Sequence, residues 1–303
     1  MPLASLLDNP AKTLTPWPRQ PLFFPHAPDA FENLLTLNEA LDLIDHECLA
    51  ARNVVLVKDG KVLERHTYID GEMPRPGALR AHLDDGGTVS LRQLQRVKPS
   101  LARLQREIQQ ETGCLVHVNA YLTPPGAQGL KYHYDPYVTL IVQLAGRKTW
   151  PLHEPLVENP VTEYGNFLGR GFTDAERRFL ANTPPSQSFT LTPGDVFWLP
   201  RGFIHSPYAE GDEPSLHLTF ALKERTYHWL AEQVVREVLD QALVDPAMRE
   251  AIPPGELRGK PWAAVEHVRE YLIGALLLTD PEEMADRART TARGSTATVS
   301  ASR

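Results

Sequence analysis

Two cysteines stand in 303 residues, Cys48 and Cys114, far apart and outside any Cys-x-x-Cys spacing. A disulfide scaffold and a thiolate zinc cluster are thereby excluded, and a reducing compartment is the natural setting. Positive charge is also scarce. Lys and Arg number 31 against 38 Asp and Glu, for a formal charge of −7, so the chain lacks the basic footprint of a nucleic-acid binder. No apolar run approaches the roughly 18 residues of a membrane span. The N-terminus MPLASLLDNPAKTL has no cationic start followed by an apolar core. A cytoplasmic protein is expected, without direct contact to nucleic acid or membrane. There is no internal repeat, and 42% hydrophobic residues suit a folded globular chain.

What is present divides by period. Asn38 to His46 carries apolar residues at helical spacing, with Asn38 as the expected N-cap. Residues 53–66 read as two short strands about the Asp59-Gly60 turn, and Pro99 to Thr112 as a helix stopped by Gly113. From Leu115 the period changes to two. LVHVNAYLT sets His117, Asn119, Tyr121 and Thr123 on one face, with Val116, Val118, Ala120 and Leu122 on the other. Val138 to Leu144 is a second, more apolar strand, and further strands are expected at Gln187 to Leu191, Val196 to Pro200 and Ser215 to Phe220. Short strands at this spacing indicate a mainly β barrel or sandwich with added helices. The stretch from Pro151 to Pro185, helical at Thr173 to Leu180, is long enough to be a covering or functional element. Helical spacing returns after Ala221, and residues from about Ala285 are small and polar, which predicts disorder.

Within this frame His133 and Asp135 are two apart, so on an extended segment both side chains share a face and can share one ion. On a helix they would diverge by about 200°. His205, after the strand VFWLP and the turn Arg201-Gly202, supplies a third ligand. Two imidazoles and a carboxylate on one side of a metal leave the other side open, as in iron(II) oxygenases, although affinity alone also admits zinc, nickel or manganese. Composition predicts about half an H-x-D tripeptide by chance, and a second one, His82-Leu83-Asp84, lies outside the strand-rich region. Lys148, at the end of the second strand, is the cation that a 2-oxoglutarate carboxylate would need, while a solvated basic turn with Arg147 is the alternative on residues alone. Tyr121 and Asn119 could donate hydrogen bonds to the same acid, and His117 and His217 support the site. Tyr134 and Tyr137, together with the 151–185 connection, are expected to contact the substrate.

NAYLTPPGAQGLKYHYDPYVTLIVQLAGRKTWPL followed by TPGDVFWLPRGFIHSPYAEGDEPSLHLTF resembles the cupin-like branch of the Jumonji-C 2-oxoglutarate oxygenases, nearest to the ribosomal oxygenases. The likeness runs from about Asp84 to Phe220, with DDGGTVSL, NAY-x-TPPG, H-x-D, GRK-x-W, PGD-x-x-x-LPRG and the distal His in family order. It implies a double-stranded β-helix (jelly roll, cupin) core over residues 115–223. N-terminal α/β elements would fill 1–114, a helical dimerisation region 224–284 and a disordered tail 285–303. It also implies that His133, Asp135 and His205 bind iron(II), with O2 as oxidant. The 2-oxoglutarate cation falls 15 positions after the first His, at Lys148, and the family tyrosine 12 before it, at Tyr121. His117, His217 and Thr219 would stand behind these residues. The implied activity is hydroxylation of a side chain in a protein or peptide by a homodimeric enzyme. Too few residues follow Thr279 for the winged-helix domain of ribosomal oxygenases, which leaves room for a peptide natural product as substrate. Two other classes remain on the residues themselves. One is a metal-dependent cupin enzyme such as an isomerase or a keto-acid-independent dioxygenase, the other a non-enzymatic cupin interaction protein.

Overall fold

The computed structural model describes residues 2–294 and divides the chain into two compact units, Met1–Glu224 and Arg225–Arg303. In the first unit, α1 (Pro10–Thr13), β1 (Leu22–Phe24), α2 (Leu37–Asp45), β2 (Val54–Lys58) and β3 (Lys61–Val62) lead to a small hairpin, β4 (Ile69–Asp70) and β5 (Met73–Pro74). Next come α3 (Ala78–Asp84), β6 (Thr88–Leu91), α4 (Pro99–Thr112), β7 (Leu115–Thr123), β8 (Val138–Ala145) and β9 (Arg147–His153). α5 (Phe167–Arg170) and α6 (Asp174–Asn182) precede β10 (Gln187–Leu191), β11 (Val196–Leu199), β12 (Ile204–His205), β13 (Tyr208–Glu210) and β14 (Ser215–Lys223).

Eight strands form one antiparallel sheet in the order β1-β11-β8-β14-β7-β6-β2-β3, and β10-β9-β12 form a second sheet in which β13 also pairs with β9. The N-terminal elements expected over 1–114 share the large sheet with the strands that follow, since β2, β3 and β6 extend it beside β7. Strand alternation decides what each face does. The apolar side of β7 (Val116, Val118, Ala120, Leu122) joins Leu216, Leu218, Phe220 and Leu222 of β14 in a core shared with α4 and the N-terminal segment. Fully burying one such side chain is worth roughly 1.5–3 kcal/mol. The other side of the large sheet meets the small sheet around Ile141, Trp150, Leu152, Phe197 and Phe203. A third cluster, Tyr134, Leu180 and Ile204 with Phe167 and Phe172, seats the 154–186 insert.

Local chemistry sets the ends of these elements. α4 begins on Pro99 and stops at Gly113, whose φ of 70° favours glycine. α2 is capped two residues earlier than expected, at Thr36 in place of Asn38, by a reciprocal Thr36–Glu39 capping box. The β8–β9 turn depends on Gly146, at φ 59°, where a Cβ would lie 2.3 Å from the Pro214 carbonyl oxygen. That turn corrects one expectation: Lys148 sits near the start of its own strand, β9, rather than at the end of β8.

In the second unit, α7 (Tyr227–Val244), α8 (Pro254–Arg258), α9 (Trp262–Leu278) and α10 (Pro281–Gly294) follow one another. The segment expected to be disordered from 285 is therefore helical as far as Gly294, with Arg287 bridging Glu237 and Glu283. The rest of that expectation, 295–303, lies outside the described residues. Among the described residues no helix is long and apolar enough to cross a membrane.

Candidate metal and anion site

The His-x-Asp segment is extended but belongs to no regular strand. It is held by a single bridge in which His133 and His205 exchange backbone hydrogen bonds of 3.1 and 2.8 Å. The bridge joins residues 72 positions apart, and β12 in turn fixes His205 opposite Leu152 of β9. Period two then does what the spacing predicts. One ligand atom from each of His133, Asp135 and His205 lies within 4.8 Å of the others, with His205 buried and the other two partly exposed. His205 Nε2 stands 3.9 Å from Asp135 Oδ2.

The donor set fits a divalent cation. His133 Nδ1 lies 2.8 Å from the Lys131 carbonyl and His205 Nδ1 lies 3.0 Å from the Phe203 carbonyl. A carbonyl only accepts, so each Nδ1 carries the proton and each Nε2 keeps its lone pair for a metal. Burial, with His133 beside it, holds His205 well below its usual pKa, in the neutral form that ligates. Thr139 Oγ1 donates to Asp135 Oδ2 at 3.3 Å. The competing pair is disposed of by local structure. His82 and Asp84 lie on α3, and the His82 ring is engaged by the Val57 carbonyl.

Lys148 is 1% exposed. Its ammonium donates to Thr123 Oγ1 at 2.7 Å, and among the described residues it forms no salt bridge. Burial alone brings its pKa down from 10.5 to about 7. Trp150, two residues on and on the same face of β9, packs against the His205 and His217 rings at 5.7 and 5.4 Å. The Trp150 Nε1 and His217 Nδ1 atoms are buried without protein partners. A buried cation without an anion, flanked by orphaned polar nitrogens, is what a small dicarboxylate would satisfy. The solvated-turn alternative for Lys148 is overturned by its burial, although Arg147 beside it is exposed.

Tyr121 stacks on His217 at 5.0 Å, and burial raises its pKa. Asn119 accepts the Gln93 N–H through Oδ1, and Thr219 pairs with Asn119 across β7 and β14. His117 lies two residues further along that face, its pKa pushed down to about 4 by burial, Lys223 and Arg96. The tyrosines part company. Tyr137 stays beside Asp135, whose charge, with burial, raises its pKa well above the usual value. Tyr134 is 2% exposed and packs against Phe167 and Phe172 of the insert. It belongs to the cluster that seats the insert. Thr123 was legible from period two, whereas Trp150, on a strand the pattern does not show, was not. The Arg201–Glu224 pair beside this segment carried no sequence signal.

The JmjC domain model matches residues 90–230. The chain carries a JmjC domain. Its ligand segment, Lys148 and His205 all fall within it. The chain is 34% identical over 210 residues to ribosomal oxygenase 2 of Bos taurus, covering 68% of this chain and 40% of that protein. It is 32% identical over 183 residues to the bifunctional lysine-specific demethylase and histidyl-hydroxylase NO66 of Drosophila persimilis, covering 59% and 25%. The chain thus spans well under half the length of these curated relatives. Among solved structures, Escherichia coli ribosomal oxygenase YcfD superposes with a TM-score of 0.56 at 18% identity, over 92% of this chain and 69% of that one. YcfD in complex with cobalt and 2-oxoglutarate gives 0.54, over 95% and 71%. At that identity the likeness establishes a shared fold, which is that of the JmjC domain seen here.

Proposed function

We propose that this chain is an iron(II)- and 2-oxoglutarate-dependent oxygenase that hydroxylates a side chain of a protein or peptide. The observation that carries the reading is Lys148, a buried ammonium on the same strand face as Trp150, which packs against His205 of the two-histidine, one-carboxylate cluster. The relatives' names, ribosomal oxygenase and histidyl-hydroxylase, support a protein substrate. The YcfD complex with cobalt and 2-oxoglutarate supports the metal and keto-acid pair.

In this reading His133, Asp135 and His205 hold iron(II), and Lys148 with Thr123 holds the far carboxylate of the keto acid. Bound iron, 2-oxoglutarate and O2 together supply the oxidative decarboxylation that powers C–H hydroxylation. The protein's own work is placement. Trp150, Phe197 and Leu152 keep water from the reacting side, Tyr121 and Asn119 offer polar atoms beside it, and Thr139 and Tyr137 orient the Asp135 carboxylate. His117 and His217, with Thr219, line the face behind them. The insert stands next to this site, with Phe167 packed against the His133 ring at 6.3 Å, and forms part of the substrate-facing rim.

A homodimer and a cytoplasmic location belong to the same reading. α9 buries none of its side chains, and Trp262, Leu277 and Leu278 are 73%, 81% and 88% exposed, an apolar face that a second copy would cover. The exposed thiol of Cys48 suits a reducing compartment. The net charge of −7 supports the absence of direct nucleic-acid contact.

The test is succinate release by the purified chain, followed by a search of ribosomal proteins and candidate peptides for a hydroxylated product. Release requiring both iron and 2-oxoglutarate is expected. Turnover of a substrate with metal but without the keto acid would point instead to a cupin enzyme of another class. Absence of metal binding would point to an interaction protein.

A further inference from the structure

Glu224 closes the first unit, and its carboxylate reaches back to the segment that bears Asp135. Glu224 Oε2 accepts the Val138 N–H at 3.0 Å, at the first residue of β8 and three residues after Asp135. Its other oxygen, Oε1, stands 3.7 Å from Arg201 Nε, and the two side chains are only 13% and 21% exposed. The residue after Arg201 completes the circuit, since the Gly202 N–H donates to the Asp135 carbonyl at 2.9 Å. Gly202 makes that approach at φ 86°, a conformation open to glycine. Asp135 to Val138 is thus gripped at both ends, through Gly202 at one and Glu224 at the other.

An ion pair that served stability alone could sit anywhere on the barrel. This one joins the Asp135 carbonyl and the Val138 N–H, the backbone points that fix the chain immediately after the Asp135 side chain. The segment between them needs such support. It has no regular strand on either side of the His133–His205 bridge, and Asp135 contributes nothing to that bridge. A backbone shift of a few tenths of an ångström at Asp135 would carry its carboxylate away from the two imidazoles, and partners beyond the ligands are known to govern metal affinity in this way. The pair also has little solvent to compete with it, so its geometry is held more firmly than that of a surface bridge.

We propose that Glu224 and Arg201 are positioning residues for Asp135: their pair fixes the Asp135–Val138 backbone so that the carboxylate faces His133 and His205. The proposal rests on the reading of the triad as a metal centre.

It is tested by cobalt(II) titration of the full chain, read by visible absorption, beside thermal melting of the metal-free protein. The variants are Glu224→Ala, Glu224→Gln, Arg201→Gln and the double variant Glu224→Gln with Arg201→Gln. Glu224→Ala, which loses both contacts, is expected to raise the cobalt dissociation constant about 10- to 100-fold and alter the absorption bands. Glu224→Gln keeps an acceptor for the Val138 N–H and should recover most of that loss. Arg201→Gln should fall between these two, and the double variant should be no worse than the weaker of its single changes, as expected of coupled residues. Should Glu224→Ala fail to fold, Glu224→Gln and Arg201→Gln decide by the same readout. Lower melting temperatures with cobalt affinity within two-fold of the parent and unchanged bands in every folded variant would overturn the assignment. A parent that binds no cobalt overturns the metal-centre reading and the positioning role with it, whereas a binding parent with unaffected variants overturns the positioning role alone.

Discussion

The Lys148 end and the His133–Asp135–His205 end of the candidate site are secured differently. At the Lys148 end the side chain projects from the middle of a sheet, with β10 and β13 paired on either side of β9 at Lys148. At the metal end His133 and Asp135 come from a loop held by one bridge, one glycine N–H and the Glu224–Arg201 pair. That end is partly open, with the Asp135 side chain 27% exposed against 4% for His205. Where a charge must be recognised the fold is closed and dry, and where a reacting group must enter it is open and adjustable.

Substitutions can separate these ends. The largest effect is expected from Asp135→Ala, which should reduce iron-dependent succinate release to that of metal-free protein while 2-oxoglutarate still raises the melting temperature of the variant through the lysine end. Next, Lys148→Met should raise the 2-oxoglutarate concentration for half-maximal succinate release about 10- to 100-fold, from loss of a charged hydrogen bond worth about 1.5–3 kcal/mol. Its cobalt affinity should stay within about two-fold, because the ammonium touches no ligand of the triad.

The same variant has an opposite effect on stability. The Lys148 pKa is lowered from 10.5 to about 7, so between those values the unfolded chain binds more protons and ligand-free stability rises with pH. Below about pH 7 the buried charge costs the fold most. Lys148→Met should therefore stabilise the ligand-free protein, by about 0.5–2 kcal/mol in urea unfolding, with the gain larger at pH 7 than at pH 10. Adding 2-oxoglutarate should stabilise the parent and leave the variant unchanged. The smallest effect at either end belongs to Leu277→Glu with Leu278→Glu on α9, which should convert dimer to monomer by light scattering and leave both cobalt and 2-oxoglutarate affinities unaltered.

The difference between the ends also explains how far the sequence could be read. Period-two patterning exposed β7 because its faces differ in polarity, putting Asn119, Tyr121 and Thr123 on one side, while β8 was readable as a continuous apolar run. It passed over β9, since RKTWPLH includes a proline and neighbours a glycine, both of which mark turns in isolation. β9 is a strand because partners on both sides pair with it, which no local pattern reveals. His205 was readable from its motif, whereas Glu224 is set by a contact across 86 positions with Val138 and left no trace in spacing. The surroundings of Tyr134 were equally hidden from local pattern. The residue shares a tripeptide with two ligands, but Phe167 and Phe172 of the insert pack against it. The tail from 285 has the composition of a disordered segment, yet its Arg287 finds Glu237 on α7 and helix persists to Gly294.

In the proposed reading the His133–Asp135–His205 cluster binds a metal and Lys148 a dicarboxylate for a single reaction. It is tested most directly by the 2-oxoglutarate dependence of iron-stimulated succinate release in the parent and in Lys148→Met at equal iron saturation. The account predicts saturable release in the parent and a half-saturation point about 10- to 100-fold higher in the variant. Coincident curves for the two proteins, or no iron-dependent succinate from the parent, would contradict it.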